Sequence, residues 1–230
     1  MLLTIHQPEF LPWPGFIDKI IHADHFIVLD TVKYQKNYFI NRCRIKQGGA
    51  PRWLTIPVRK NGSEEQICEK KIEANGVWGK KNLQTLRQNY EKAPFWSDHE
   101  ALFLRLFDAQ NWSNLVDINL AGLEYICRYL SLPFNYTRTS TMDLQSSGSG
   151  LILDICRKME ADTYLSGTFG REYLNLQEFK DAGISVIFQD YAPPVYEQIN
   201  GPYCGPLSVI DMLLNHGPES LRIIESGRRP

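Results

Sequence analysis

The first thirty residues constrain the fold more than any other stretch. Leu2 to Ile5 is a short apolar run that ends at His6-Gln7-Pro8. Pro8, Pro12 and Pro14 impose a rigid loop on the following residues. Pro14 also suits the first turn of a helix that runs to about Ala23, with Phe16, Ile17, Ile20 and Ile21 as its apolar face. Asp24 to Asp30 then contains the unbroken run Phe26-Ile27-Val28-Leu29, the pattern of a parallel strand buried on both faces. Strand, loop, helix and strand in this order make a βαβ unit, which predicts a parallel sheet with right-handed crossovers. Ligands of such sheets sit beyond the carboxyl ends of the strands, where His6, Gln7 and Asp30 fall.

The rest of the chain continues the theme with one interruption. Arg52 to Arg59 reads as a strand, Asn61-Gly62-Ser63 as a turn, and Gln66 to Ile72 as its hairpin partner. Residues 75 to 131 read as helical, with Trp78 to Lys92, a helix opened by Pro94, and Leu115 to Leu130. The stripe Phe95, Leu102, Phe103, Leu106 and Phe107 is expected to pack in the core. Strand 134–140, helix 151–160, strand 163–165, helix 176–182 and strand 184–188 form a second alternation. Tyr191 to Gln198 reads as a stiff strap, Pro206 to Asn215 as the last helix, and residues 227–230 as a loose tail. The expectation is one Rossmann-like α/β domain over residues 1–230, with a mainly parallel sheet and a helical insertion near 75–131.

Charge and cysteine usage narrow the function classes. Twenty-five Lys and Arg face 26 Asp and Glu, so no extended nucleic-acid surface is expected. The five cysteines include no CxxC pair, and Cys127 and Cys156 lie in apolar helical patterns as buried thiols. The five histidines show no HxH or HxxxH spacing, so no metal site is expected. The opening residues lack a basic segment followed by a long apolar one, and no apolar run approaches the length of a membrane span. A cytoplasmic location is the resulting expectation.

Three constellations can carry chemistry. The first is His6 and Gln7 with Asp30, Lys33, Gln35, Asn41 and Arg42. A strand-end histidine can act as a general base, a nearby aspartate can orient it, and an arginine fork can hold a phosphate or carboxylate. The second is Ser147-Gly148-Ser149-Gly150 ahead of a helix, whose small residues let backbone N–H groups approach a phosphate, with a capping turn that has Ser149 as N-cap as the favoured reading. It lacks the spacing of a P-loop or of GxGxxG. The third is Ser166, Gly167, Gly170 and Arg171, with Tyr173 close by, after a buried strand. Its glycines permit close backbone approach to a ligand.

These residues resemble a known family. His6-Gln7-Pro8-Glu9-Phe10-Leu11-Pro12-Trp13-Pro14-Gly15-Phe16, then Lys19, Ala23-Asp24, Asp30, Gln35 and Asn41-Arg42, resemble the opening signature of the WbqC-like family. Ala161 to Gly167, Gly170, Tyr173-Leu174, Phe179 and Gly183-Ile184 are similar to its second half, and Leu207 to Asn215 with Gly217 to its ending. Family members often keep an acidic or amide residue after the aspartate, where this chain has Thr31-Val32-Lys33. The resemblance implies a transferase of bacterial surface-polysaccharide (O-antigen) biosynthesis. It would add an amino-acid acyl group, such as glycyl, to the amine of a nucleotide-linked amino sugar. The implied partners are that nucleotide sugar and an activated amino-acid donor. His6 and Asp30 would be catalytic; Gln7, Lys33, Gln35, Asn41, Arg42, Ser166, Gly167, Gly170, Arg171 and Tyr173 would bind substrate.

The opening half is also similar to the nucleotidyltransferase-like fold of pantothenate synthetases. That analogy implies an ATP- and magnesium-dependent, carboxylate-activating enzyme as an alternative, although no HxGH or KMSKS-like segment is present. A non-catalytic scaffold for other polysaccharide enzymes is the third alternative.

Overall fold

The computed structural model describes residues 1–60 and 64–229. Its centre is a five-stranded sheet built from β1 (Leu2–His6), β2 (His25–Val28), β5 (Tyr136–Arg138), β6 (Thr163–Ser166) and β7 (Ser185–Phe188). The strand order is β5-β2-β1-β6-β7, and every neighbouring pair is parallel. Numbered among themselves, the five strands run 3-2-1-4-5, the order of a Rossmann-like α/β fold. β1 is the central strand, paired with β2 on one side and β6 on the other, and apolar side chains cover both faces of the sheet around it. Leu3 and Ile5 pack with Ile27 against α5 (Gly148–Lys158) and Phe179 of α6 (Leu176–Asp181). Phe26 and Val28 face the other way, onto Phe16, Ile17 and Ile20 of α1 (Pro14–His22).

The helical insertion lies between β4 (Ala50–Thr55) and β5 in the chain and comprises α2 (Val77–Tyr90), α3 (Trp96–Leu106) and α4 (Leu115–Tyr129). Leu102, Phe103, Leu106 and Phe107 of its expected stripe are core on the α1 side of the sheet, whereas Phe95 is only partly buried and lies outside that cluster. The Asn114 side chain caps α4 by accepting from the Val116 N–H at 2.9 Å.

Four local expectations need correction. The hairpin partner of β4 (Ala50–Thr55) lies upstream, in β3 (Arg42–Gln47), and not at Gln66–Ile72. The link is Gly48-Gly49 with φ of 59° and 75°, both in the left-handed region that a two-residue hairpin turn needs. Gln66 to Ile72 makes only isolated bridges, to Lys33, Val58 and Asn114, and the turn expected at 61–63 lies outside the described residues. Ser147, not Ser149, is the N-cap of α5, while the Ser149 hydroxyl accepts from the Asn175 N–H at 2.9 Å.

The helix expected at Pro206 to Asn215 is α7 (Val209–His216), and it is not the last, since α8 (Ser220–Glu225) follows it. The tail is tied down rather than loose. Arg228 pairs with Asp18 at 3.5 Å, and the Arg229 N–H donates to the Asp190 carbonyl at 3.1 Å. Among the described residues, no helix is long and apolar enough to cross a membrane.

Candidate active site

The sheet reverses its winding between β1 and β6, and an apolar-walled cleft opens at the carboxyl ends of these two strands. It is a cleft of about 330 Å³ that reaches from His6, after β1, to Gly167 and Thr168, after β6. Its walls come from the Pro8–Pro14 loop, α1, β3 and the turn before α7. Leu11, Trp13, Phe16 and Leu207 make much of it apolar, and the exposed Tyr38 and Phe169 line its mouth. A small volume, an apolar lining and a few convergent polar groups are the ordinary features of a small-molecule site.

The loop is held as a rigid wall from three sides. The Asn119 side chain of α4 donates to the Pro8 and Ile40 carbonyls at 3.2 and 2.8 Å. The Phe10 N–H donates to the Phe39 carbonyl at 3.0 Å. The Ser208 hydroxyl donates to the Leu11 carbonyl at 2.6 Å, and the Val209 N–H to the Pro12 carbonyl at 2.7 Å. Leu11 is pinned at φ 43°, a strained conformation for a branched residue and one that persists only where the surroundings enforce it. Gly15 lets the Trp13 ring lie flat on the start of α1, since a Cβ there would stand 2.1 Å from that ring.

Three titratable side chains converge on the cleft: His6, Glu9 and Lys19. Glu9 is 4 % exposed and Lys19 2 %. Burial pushes the Glu9 carboxyl up to about 8, against the pull of Lys19. Burial lowers Lys19 to about 7, against the pull of Glu9. Among the described residues neither forms an ion pair; Glu9 Oε2 is buried without any partner, and Lys19 Nζ meets only the Ile5 carbonyl at 3.2 Å. Burial without a partner pushes both groups towards their neutral forms, and ionisable groups shifted in this way concentrate at functional sites.

His6 stands edge-on to Phe16 with ring centroids 4.8 Å apart, and burial together with Lys19 lowers its pKa to about 3. It is therefore a neutral ring at physiological pH. Its Nδ1 lies 2.9 Å from the Gln7 carbonyl, which can only accept. Nδ1 thus carries the proton and Nε2 bears the lone pair.

The expected site residues fall into separate groups. His6 and Gly167 share the cleft. Gln7 adjoins it, with Oε1 buried and unpartnered. Ser166 is 1 % exposed beneath Gly170, where a Cβ would stand 2.0 Å from its hydroxyl. Arg171 lies over the Phe188 ring at 4.2 Å, and Tyr173 is half-exposed; neither lines the cleft.

Asp30 does not orient His6. It is fully buried and accepts from Arg138 Nε and the Ser140 hydroxyl at 2.8 Å, from the Ser140 N–H at 2.8 Å and from Thr139 Oγ1 at 3.0 Å. These bonds tie the end of β2 to the end of β5. Lys33 pairs with Glu64 at 2.7 Å, Gln35 is exposed away from the cleft, and the Asn41 amide donates to the Ile56 carbonyl at 2.8 Å.

Arg42 lies over Trp53 at 3.9 Å. The arginine that lines the cleft is Arg44, two residues on along the same face of β3, 4.8 Å from the same ring.

Sequence reasoning did not single out Glu9, Lys19, Arg44 or Gln189 as site residues. Gln189, after β7, donates to the Gly15 carbonyl at 2.7 Å and to Asp18 at 2.6 Å, which braces the start of α1 from the cleft side. The strap Tyr191–Gln198 divides its work. Tyr191 lines the cleft, whereas Tyr196 and Gln198 donate to buried Asp211 of α7 at 2.9 Å. Among the described residues, no group of three or more His, Cys, Asp or Glu side chains is placed to hold a metal ion.

With this geometry in view, the comparisons define the class. The pattern of the WbqC-like protein family matches residues 7–223, and the chain belongs to that family. The chain is 27% identical over 219 residues to "Uncharacterized protein Rv1507c" of Mycobacterium tuberculosis, an alignment that covers 95% of each chain. No solved structure matches it.

Proposed function

We propose that this protein is a transferase of bacterial surface-polysaccharide (O-antigen) biosynthesis that places an amino-acid acyl group, such as glycyl, on the amine of a nucleotide-linked amino sugar. The observation that carries this reading is the set His6, Glu9 and Lys19, gathered in an apolar-walled cleft at the switch point of the sheet. Acyl transfer needs such a set. The acceptor nitrogen attacks the acyl carbon, the bond to the leaving group breaks, and the amine proton passes to a base.

His6 Nε2, with its free lone pair, is that base. Its low proton affinity rises when an anionic ligand enters the cleft and favours the imidazolium. Arg44, stacked beside Trp53, meets the phosphates of the sugar nucleotide. Lys19 steadies the negative charge that develops on the acyl oxygen.

The test is direct. The purified protein is incubated with an amino-sugar nucleotide and an activated aminoacyl donor, and the sugar's gain of one aminoacyl group is followed by mass spectrometry. His6→Ala is expected to lower the rate by roughly 10²–10⁴-fold while the melting temperature holds. Full turnover in that variant would remove His6 from the mechanism.

A second reading, ATP-dependent activation of a carboxylate, draws on the strand order, because nucleotides bind at this switch point in other doubly wound sheets. It predicts turnover that stops without ATP and magnesium.

A further inference from the structure

Glu9 and Lys19 present an unusual electrostatic problem. Each is buried in the wall of one cleft, each is without an ionic partner among the described residues, and they do not pair with one another. Lys19 has three N–H donors when charged, and one of them is used, on the Ile5 carbonyl. Glu9 Oε2 has none of its acceptor capacity used.

The cost of burying an isolated charge is removed by a partner of opposite sign. A ligand with a single charge would compensate one of these side chains and leave the other as it is. A small ligand that carries an ammonium and a carboxylate compensates both, and brings no net charge into the cleft.

We propose that the inner wall of the cleft is a binding site for a free α-amino acid, with Glu9 facing its ammonium group and Lys19 its carboxylate. This rests on the same cleft as the transferase reading: the free amino acid is the hydrolysed counterpart of the activated donor, with a carboxylate oxygen at Lys19 where the donor presents its acyl oxygen. The volume is at the small end of ligand sites, and the neighbouring Leu11, Trp13 and Phe16 suit a short aliphatic side chain. Arg44 and the mouth residues Tyr38 and Phe169 then remain for a second, larger ligand. Binding moves charge in a definite way. The ligand ammonium draws the Glu9 carboxyl towards its ionised form, and the ligand carboxylate draws Lys19 towards its protonated form.

The experiment is a thermal-shift panel on the wild-type protein at pH 7.5. The probes are glycine, L-alanine and L-valine; their separate halves, methylamine and acetate; sodium chloride for ionic strength; and betaine. Betaine keeps the charges and the osmolyte effect of glycine but has no N–H to offer Glu9. At a hundredfold excess over the dissociation constant, at least one amino acid is expected to raise the melting temperature by roughly 5–10 °C. Methylamine, acetate and betaine are expected to give no saturable shift. Glu9→Gln and Lys19→Met are each expected to abolish the amino-acid shift, and the wild-type panel decides by itself should either variant fail to fold.

Equal shifts from a half-ligand and from the whole amino acid would overturn the proposal, as would saturable binding of betaine or no saturable shift with any amino acid. The two readings separate cleanly. An amino-sugar nucleotide that binds and is acylated, with no amino-acid shift, sinks this proposal and spares the transferase. An amino-acid shift with no acylated sugar does the reverse.

Discussion

Replacing Glu9 by glutamine isolates what it costs the fold to bury that carboxyl. Glutamine has nearly the shape of a protonated glutamate but no charge to lose, so the two proteins differ in their response to pH. The Glu9 carboxyl ionises near 4.5 in an unfolded chain and is pushed up to about 8 by burial in the folded one. Between these values the folded state holds a proton that the unfolded state has released, so wild-type stability falls as pH rises.

Each pH unit well inside that window is worth about 1.4 kcal/mol and less at its two ends, so the wild type loses about 4 kcal/mol relative to Glu9→Gln between pH 4.5 and pH 8. Part of the gain is offset, because Glu9 also supports the charge on Lys19. His6 and Lys19 titrate abnormally too, but largely in both proteins, so the variant-minus-wild-type difference reports chiefly on Glu9. Urea unfolding at pH 4.5, 6, 7 and 8 measures it. The expected result is near-equal stability at pH 4.5 and a glutamine variant that grows steadily more stable up to pH 8. A difference that does not change with pH, or one that favours the wild type at pH 8, would refute the claim that this carboxyl is buried without a partner.

Two further outcomes test the scaffold around the cleft. Asp30→Asn breaks a buried carboxylate–arginine contact that joins β2 to β5, and should cost about 3–5 kcal/mol in urea unfolding; a loss below about 1 kcal/mol would show that this network adds little rigidity. Gly79→Ala sets a Cβ 2.0 Å from the Phe107 carbonyl oxygen, and the displacement of backbone it forces should destabilise by about 1–3 kcal/mol, seen as a lower melting temperature.

The parallel core was legible because its strands are apolar without alternation, and because prolines and glycines mark the places where helices begin and strands end. β3 was missed although Arg42-Cys43-Arg44-Ile45-Lys46 alternates and Gly48-Gly49 follows it. Three basic residues in that stretch read as ligand groups as readily as the polar face of a strand. His6 and Gly167 followed from topology alone.

Glu9 and Lys19 did not, since periodicity reports where apolar residues go and says nothing of a charge that is buried with them. The available signal was context. Lys19 sits in a helix whose residues 14 to 20 are all buried, and Glu9 sits in a segment of prolines and aromatics that leaves little polar surface for it to join. Lys33 and Gln35 lie on the chain beyond β2, which leads away from the switch point; strand-end position alone did not distinguish the two directions.

The clamp on the Pro8–Pro14 loop has a consequence for how the protein is made. The loop lies far upstream of its braces Asn119, Ser208 and Val209, and the central strand gains its second neighbour only at Thr163. Contacts of such long sequence separation form late in folding. Until about residue 209 has emerged, the nascent chain carries Glu9 and Lys19 without the wall that buries them, and both then titrate as ordinary surface groups. The unusual acidity and basicity of the cleft are thus acquired only once α7 is in place, and fragments that stop short of α7 contain Glu9 and Lys19 without the burial that shifts them.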